Sequence, residues 1–185
     1  MSAARSVPPT ILTPRLILRA WTAQDAEPMM AINRDPEVTR YLNRPVHEAA
    51  VTGFHAAAIE HWITHGVGLF AIESREPEPE RRGVLLGFAG VGYPTFLPEL
   101  ATRPELGWRL GRAAWGRGIA TEAVTAAAGD AFGRGRLKQT ISIIHPENER
   151  SRRVAIKQGM TIEGQVHNPV LDRPVDVWTK DAPPT

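Results

Sequence analysis

The stretch WGRGIATEA, Trp115 to Ala123, sets two glycines and a small alanine at the front of an alanine-rich run. Gly116 and Gly118 allow a sharp turn and a close approach of the backbone to a ligand. The alanine-rich run is strongly periodic. Ile119, Ala123, Ala127 and Ala131 form one row at i, i+4 spacing, and Ala120, Val124, Ala128 and Phe132 form the adjacent one. These rows predict the buried stripe of an amphipathic helix, with Thr121, Glu122, Thr125 and Asp130 lying off it. A glycine-rich turn that feeds a helix N-terminus presents backbone N–H groups and the positive end of the helix dipole, which suits phosphate. The same turn would also serve a helix that merely packs close to a sheet, so these nine residues leave both uses open.

Charge around the turn is lopsided. Residues 109–157 hold ten basic side chains (Arg109, Arg112, Arg117, Arg134, Arg136, Lys138, Arg150, Arg152, Arg153 and Lys157) against four acidic ones, in a chain whose net charge is +2. A polyanionic ligand needs such an excess, and a solvated face can also carry it. The 185 residues, 42% hydrophobic, suffice for one domain with a sizeable core. The expected organisation is a loose tail at 1–10, a single domain at 11–180 and a second tail at 181–185. No apolar run approaches the roughly 18–20 residues that span a membrane, and MSAARSVPPT has no apolar core of a secretory signal. With no cysteine, disulfide and thiolate chemistry are excluded, which fits the cytoplasm.

Outward from the turn, the chain reads as alternating strands and helices. RLILRAW (15–21) alternates like a strand, and Thr22 with Asp25 resembles a capping box that opens a helix through about Asn33. DPEVTRYL suggests a short helical turn. Residues 47–65 read as a second helix, with Val51, Phe54, Ala58, Ile59, Trp62 and Ile63 on one side. GLFAIES (68–74) and GVLLGFAGVG (83–92) predict a hairpin across a charged, proline-bearing turn, and ELGWRL (105–110) a strand running into the glycine-rich segment. KQTISIIH (138–145) is a strand. Asn148 is placed to N-cap a helix that stops at Gly159, and TIEGQV and PVDVWT close the chain as two strands. The expected fold is α/β, a mixed, mostly antiparallel central sheet of about six to seven strands with helices on both faces.

Two phosphate motifs do not fit. There is no Gly-Lys-Ser/Thr of a P-loop, and GRGIAT lacks both the acidic residue about twenty positions on and the βαβαβ frame of a dinucleotide site. A third pattern does. The element order, ELGWRL, RAAWGRGIATEA and HPENERSRRVAIKQGM together resemble the GNAT superfamily of acyl-CoA-dependent N-acetyltransferases. The opening TPRLILRAWTAQDAEPMMAINRDPEVTRYL is similar to that of its RimJ/RimL-type branch. The resemblance spans roughly residues 11–180.

In that superfamily, Q/R-x-x-G-x-G/A wraps the CoA pyrophosphate. The resemblance therefore assigns this role to Trp115, Gly116, Arg117, Gly118, Ile119 and Ala120, with Thr121 in the first helical turn. Trp115 stands where Gln or Arg is usual, a departure common in this branch, so the pyrophosphate must rely on backbone N–H groups. The resemblance lays the pantetheine arm along Trp108, Arg109 and Leu110, whose strand edge can pair with its amides. It gives Asn148 a hydrogen bond to the same arm, alongside its role as an N-cap. Arg112, Arg117, Arg152 and Arg153 are candidates for the phosphates, one or two of the four sufficing.

Acetyl transfer to an amine requires a neutral amine and a proton for the departing thiolate. An α-amine, with a pKa of about 7.7–8.0, is already partly neutral, whereas lysine at about 10.4 is not. Glu105, at the start of the strand that would carry the thioester, is the candidate base. It could equally be a surface carboxylate. No tyrosine follows Asn148 at the usual distance, and Ser151 occupies the place as a candidate thiolate partner. A helix-terminal hydroxyl bonded to its own backbone is the alternative. An oxyanion contact would come from backbone N–H in the Arg109–Leu110 region.

His61 and His65 have the spacing of a helical metal pair, but without a third ligand no metal is expected. Trp21, Trp62, Trp108, Trp115 and Trp178 read mainly as core, with Trp108 also placed to line an acceptor cleft. His145 reads as structural. The resemblance implies that the acceptor is set by residues 22–65 and VHNPVLDRPVD, whose Asp25, Glu27, Asp35, Glu37, Glu48, Asp172 and Asp176 suit a cationic amine, although a solvated surface predicts much the same composition. The leading expectation is an N-acetyltransferase that uses acetyl-CoA and a protein N-terminal or small-molecule amine, with a homodimer allowed by the relatives. A catalytically silent acyl-CoA-binding sensor is the alternative, to which the missing tyrosine and Met160 in place of the usual Phe lend weight. A nucleic-acid binder is disfavoured, because no aromatic stacking motif accompanies the basic segment.

Overall fold

The computed structural model describes residues 8–42, 54–76 and 82–184. Among these, eight strands form one sheet in the order β1-β2-β3-β4-β5-β6-β8-β7. They are β1 (Ile11–Leu12), β2 (Leu16–Arg19), β3 (Leu69–Ser74), β4 (Leu85–Gly92), β5 (Glu105–Leu110), β6 (Gln139–Ile144), β7 (Thr161–Asn168) and β8 (Arg173–Asp181). Every neighbouring pair is antiparallel except β5 and β6, which are parallel. The strand count exceeds the expected six to seven. The addition is β1, a two-residue strand paired Ile11↔Leu18 and Leu12↔Ile17 across a turn at Thr13–Pro14, too short to show a period in sequence.

Among the described residues, five α-helices accompany the sheet: α1 (Ala26–Arg34), α2 (Pro36–Thr39), α3 (Phe54–His65), α4 (Ile119–Phe132) and α5 (Glu149–Lys157). The Thr22–Asp25 capping box is present and opens a 3-10 turn that leads into α1. Asp25 also takes a two-pronged hydrogen bond from Arg19 at 2.8 Å. Burial pushes the Asp25 carboxyl up, but the bonds from Arg19 and Thr22 outweigh it and hold the group below its ordinary range. Of the helix expected over 47–65, residues 47–53, with Glu48 and Val51, lie outside the described residues. In α3, Ala58 and Trp62 are buried as expected, whereas Ile63 is exposed. The charged part of the β3–β4 turn, 77–81, likewise lies outside.

The α4 stripe is the floor of the main core. Ile119, Ala123, Val124, Ala127, Ala128 and Ala131 are all buried against Leu16, Leu18, Phe70, Ile72, Ala89, Val91, Leu106 and Leu110 of the sheet. Strand alternation sends Ala71 and Leu85 to the other face, where Met29 of α1 and Ala58 of α3 pack with Trp21. Further along the sheet, α5 buries Ala155 against Ile144, Met160 and Trp178. Opposite, Leu97 and Leu100 close over Ile141, Ile143, Val175 and Val177.

The parallel pair positions the site. β5 bonds β4 along its whole length, Gly92↔Glu105 to Gly87↔Leu110, but its register with β6 is the single pair Glu105↔Ile141. Ile141 N–H donates to the Pro104 carbonyl at 2.9 Å, and the Ser142 hydroxyl to the Leu106 carbonyl at 2.6 Å. Beyond these contacts the strands part toward their carboxyl ends. That is where ligands settle in open α/β sheets.

Candidate active site

The glycine-rich turn leaves β5 through a short 3-10 turn at Arg112–Ala114 and enters α4 at its N-cap, Gly118. Gly116 and Gly118 have φ of +72° and +77°, the left-handed region that side chains avoid. Packing is not the reason for glycine here. A Cβ on Gly116 would meet nothing within 4 Å, and one on Gly118 would meet only Arg15 Nη2, at 3.5 Å. The helical ladder starts when Glu122 N–H donates to the Gly118 carbonyl, so the N–H groups of Ile119, Ala120 and Thr121 precede it.

Glu122 sits in that first turn, where a carboxylate would compete with a bound anion. It is neutralised locally. Glu122 accepts the Thr13 hydroxyl at 2.6 Å, Arg15 N–H at 2.9 Å and Arg15 Nε at 2.7 Å, while Arg15 Nη1 donates to the Arg117 carbonyl at 2.8 Å. Burial raises the Glu122 pKa, yet these bonds together lower it below the usual carboxylate value.

A cavity of about 390 Å³ opens against the turn. Trp108, Arg109, Leu110, Trp115, Gly116, Gly118, Ile119, Ala120, Thr121, Asn148, Ser151 and Arg153 line it, twelve of the residues singled out in sequence. Three expected arginines are outside that lining, each held by a carboxylate. Arg112 Nε is 3.7 Å from Asp35 Oδ2, Arg117 pairs with Glu76, and Arg152 Nη1 donates to Glu149 at 2.7 Å. In their place the wall presents Arg150 and Lys157 beside Arg153. The Arg150 guanidinium lies 4.4 Å from the Trp115 ring centroid, and Trp115 Nε1 in turn donates to the Leu110 carbonyl at 2.9 Å. Trp115 thus supports a cation beside the turn, whose own Arg117 is paired with Glu76. Asn148 N-caps α5, its side chain accepting Ser151 N–H at 3.2 Å.

A second cavity, of about 210 Å³, fills the gap between β5 and β6. Glu105 lines it, as do Ser142, Ile143, Ile144 and His145 on the β6 side. Tyr41, Leu42, Trp108, Arg109, Asn148 and Ser151 line both cavities, which makes the two one continuous cleft. Tyr41, 107 residues ahead of Asn148 in sequence, stacks on His145 at 5.1 Å. His145 Nδ1 accepts Glu147 N–H at 3.2 Å, which leaves the proton of the neutral ring on Nε2. Burial, and then the Arg173 guanidinium, push the His145 pKa down, so the ring is neutral at neutral pH.

Among the described residues of the acceptor segments expected from sequence, Tyr41 and Leu42 line both cavities, Glu37 and Val38 line the first, and none of VHNPVLDRPVD lines either. That segment acts from behind, as Arg173 donates to the Leu42 carbonyl. The acidic side chains offered for a cationic amine are spent elsewhere: Asp25 on Arg19, Glu27 on Arg34, Asp172 on His167 and Asp176 on Gln165. Asp35 caps α2, and Glu37 lines the first cavity. His61 and His65 pack ring to ring at 4.5 Å against Tyr93. Among the described residues, no three His, Cys, Asp or Glu side chains gather as a metal site, and no helix is long and apolar enough to cross a membrane.

Comparison with known proteins fits this geometry. The acetyltransferase (GNAT) domain matches residues 15–161. The uncharacterised N-acetyltransferase YoaA of Bacillus subtilis (strain 168) is 30% identical over 159 residues, covering 84% of this chain and 85% of that protein. Among solved structures, an acetyltransferase from Agrobacterium tumefaciens str. C58 shares the fold with a TM-score of 0.78 and 24% identity, covering 97% of this chain and 98% of that one. The microcin C7 self-immunity acetyltransferase MccE, in complex with acetyl-CoA and AMP, has a TM-score of 0.71 and 15% identity over 95% of this chain and 98% of its own. This chain belongs to the GNAT family of acetyltransferases, and it is an acyltransferase enzyme.

Proposed function

We propose that the enzyme transfers the acetyl group of acetyl-CoA to a primary amine by direct attack, in the manner of the RimJ/RimL-type branch that its sequence resembles. The continuity of the two cavities carries this proposal. A cofactor whose phosphates rest on the N–H groups after Gly118, near Arg150, Arg153 and Lys157, has its arm directed along Trp108–Leu110. Its thioester then falls at the junction lined by Asn148 and Ser151, facing the space that Glu105 borders. Gly116, with open space where a Cβ would stand, fits a backbone that a diphosphate approaches closely.

In this scheme Glu105 takes the proton from the amine as the new C–N bond forms and the C–S bond breaks. Ser151 hydrogen-bonds the departing thiolate, which collects a proton to leave as the thiol. Tyr41, at the same junction, is a second hydroxyl within the cleft for that step. Backbone N–H in the Arg109–Leu110 region stabilises the carbonyl oxygen as it gains charge. The test is release of CoA thiol from acetyl-CoA in the presence of amino acids, N-terminal peptides, polyamines and aminoglycosides. Tight binding of acetyl-CoA with no transfer to any amine would favour a silent acyl-CoA sensor instead.

A further inference from the structure

The second cavity presents one polar ring that the acetyl-transfer scheme does not use. His145 follows β6 directly and lines that cavity, half-buried. Its Nδ1 is engaged in its own loop, where it accepts Glu147 N–H at 3.2 Å. One face of the ring is covered by Tyr41, 5.1 Å away and inclined at 30°. Tyr41 is fixed in turn, because the carbonyl of the next residue, Leu42, accepts a hydrogen bond from Arg173. The imidazole is thus held in plane and in tautomer, and among the described residues its Nε2–H has no acceptor. The ring is neutral at neutral pH, since burial, ahead of Arg173, pushes its pKa down. It therefore offers a hydrogen-bond donor without a charge. Ser142, on the same wall, differs: its hydroxyl is spent on the Leu106 carbonyl at 2.6 Å. The His145 carbonyl accepts Asn148 N–H at 2.9 Å, so the ring stands one turn from the junction of the two cavities. Water satisfies such a donor while the cleft is open. A substrate that expels the water must replace it with an acceptor atom or leave the donor stranded. A site built around such a bond rejects the isostere that lacks the atom.

We propose that His145 is a specificity-determining residue, which reads an uncharged oxygen, hydroxyl or carbonyl, carried by the acceptor amine close to its nitrogen. The proposal rests on the acetyl-transfer reading above and deepens it. The test follows thiol release by the full-length enzyme with alaninol, alaninamide and sec-butylamine. Alaninol and sec-butylamine share one shape and differ by a hydroxyl in place of a methyl group, while alaninamide presents a carbonyl. Expressed per neutral amine, kcat/KM for the better of the two oxygen-bearing amines should exceed that for sec-butylamine by about tenfold or more, the cost of one stranded donor. Which of the two is better tells hydroxyl from carbonyl. His145→Phe keeps a ring against Tyr41 and removes the donor, so it should bring the amines to within about twofold of one another. His145→Gln, whose amide N–H can donate, should retain part of the preference. A parent enzyme without the preference, or a His145→Phe variant that slows all three amines equally and so keeps it, would overturn the proposal and leave acetyl transfer standing. So would transfer to other amines but to none of these three. Binding of acetyl-CoA with no transfer to any amine would overturn both.

Discussion

The two halves of the cleft are built from different materials. The wall of the larger cavity includes a backbone feature, two left-handed glycines and the free end of α4, beside β5 and the cationic side chains Arg150, Arg153 and Lys157. The smaller one has no such turn: its described lining is gathered from the segment after α2, from β3, β4 and β5, from the loop at 93–96, from β6 and from the start of α5. A backbone wall can be occupied by any molecule with the right anion and tolerates little change in the chain. A side-chain wall can be re-lined residue by residue. On the reading proposed above, such a difference would let the acceptor half change while the cofactor half stays constant.

Substitutions that separate the halves test this contrast. The largest effect is expected for Gly118→Val. It forces a β-branched residue into the left-handed region, at about 1–2 kcal/mol, and displaces backbone donors worth about 1.5–3 kcal/mol each to a charged group. Acetyl-CoA affinity by calorimetry should fall about 10³-fold while the fold, followed by circular dichroism, is retained. Unchanged affinity would place the pyrophosphate elsewhere. Glu105→Gln comes next and belongs to the other half. It should cut kcat at neutral pH by about 10²-fold or more, with CoA affinity within a few fold of the parent. The loss should shrink as pH rises toward the pKa of the amine, where the substrate needs less help. A normal pH profile in that variant would leave water or another group as the base.

Ser151→Ala, at the junction, should slow transfer by at most about 10²-fold, since a thiolate leaves tolerably well without aid. That defect should be flat with pH, and a defect that recovers with pH would assign Ser151 to the amine side. Comparing it with Tyr41→Phe shows which hydroxyl serves the thiolate. The smallest effect concerns the arginines. CoA should bind about tenfold more tightly than dephospho-CoA, and the gap should close in the Arg150→Ala, Arg153→Ala double variant. Arg152→Ala should leave the gap intact, because Glu149 already holds that guanidinium. A gap that survives the double variant would remove Arg150 and Arg153 from the phosphate site.

The same contrast governs what could be read from sequence. Backbone features are announced locally: Gly116 and Gly118 ahead of an i, i+4 stripe and Asn148 ahead of α5 take the positions in the fold that the pattern predicts. Side-chain sites are not. Tyr93 and Phe96 lie in an irregular loop, and only the pairing of β4 with β5 brings them beside Glu105. The arginines show both regimes. Glu149 three positions before Arg152 is a legible helical ion pair, and it points to Arg150 as the arginine left for the cleft. Glu76, 41 residues before Arg117, gives no local sign of their pairing. The strand β1 gives no sign in sequence because two residues carry no period.

The hold of Thr13 and Arg15 on Glu122 and the Arg117 carbonyl reaches across more than a hundred residues of sequence. On the reading proposed above, a turn without docked β2 would lack these contacts, so competence for the cofactor would depend on β2 and would not be a property of the segment that touches it alone. The linkage runs both ways. A cofactor that binds only the finished turn stabilises the docked strand by mass action. Amide hydrogen exchange at Arg15 and Leu16, far from any ligand in the chain's own numbering, should therefore slow when acetyl-CoA is added. Trimming the amino terminus as far as Arg15 should weaken the cofactor before it melts the sheet.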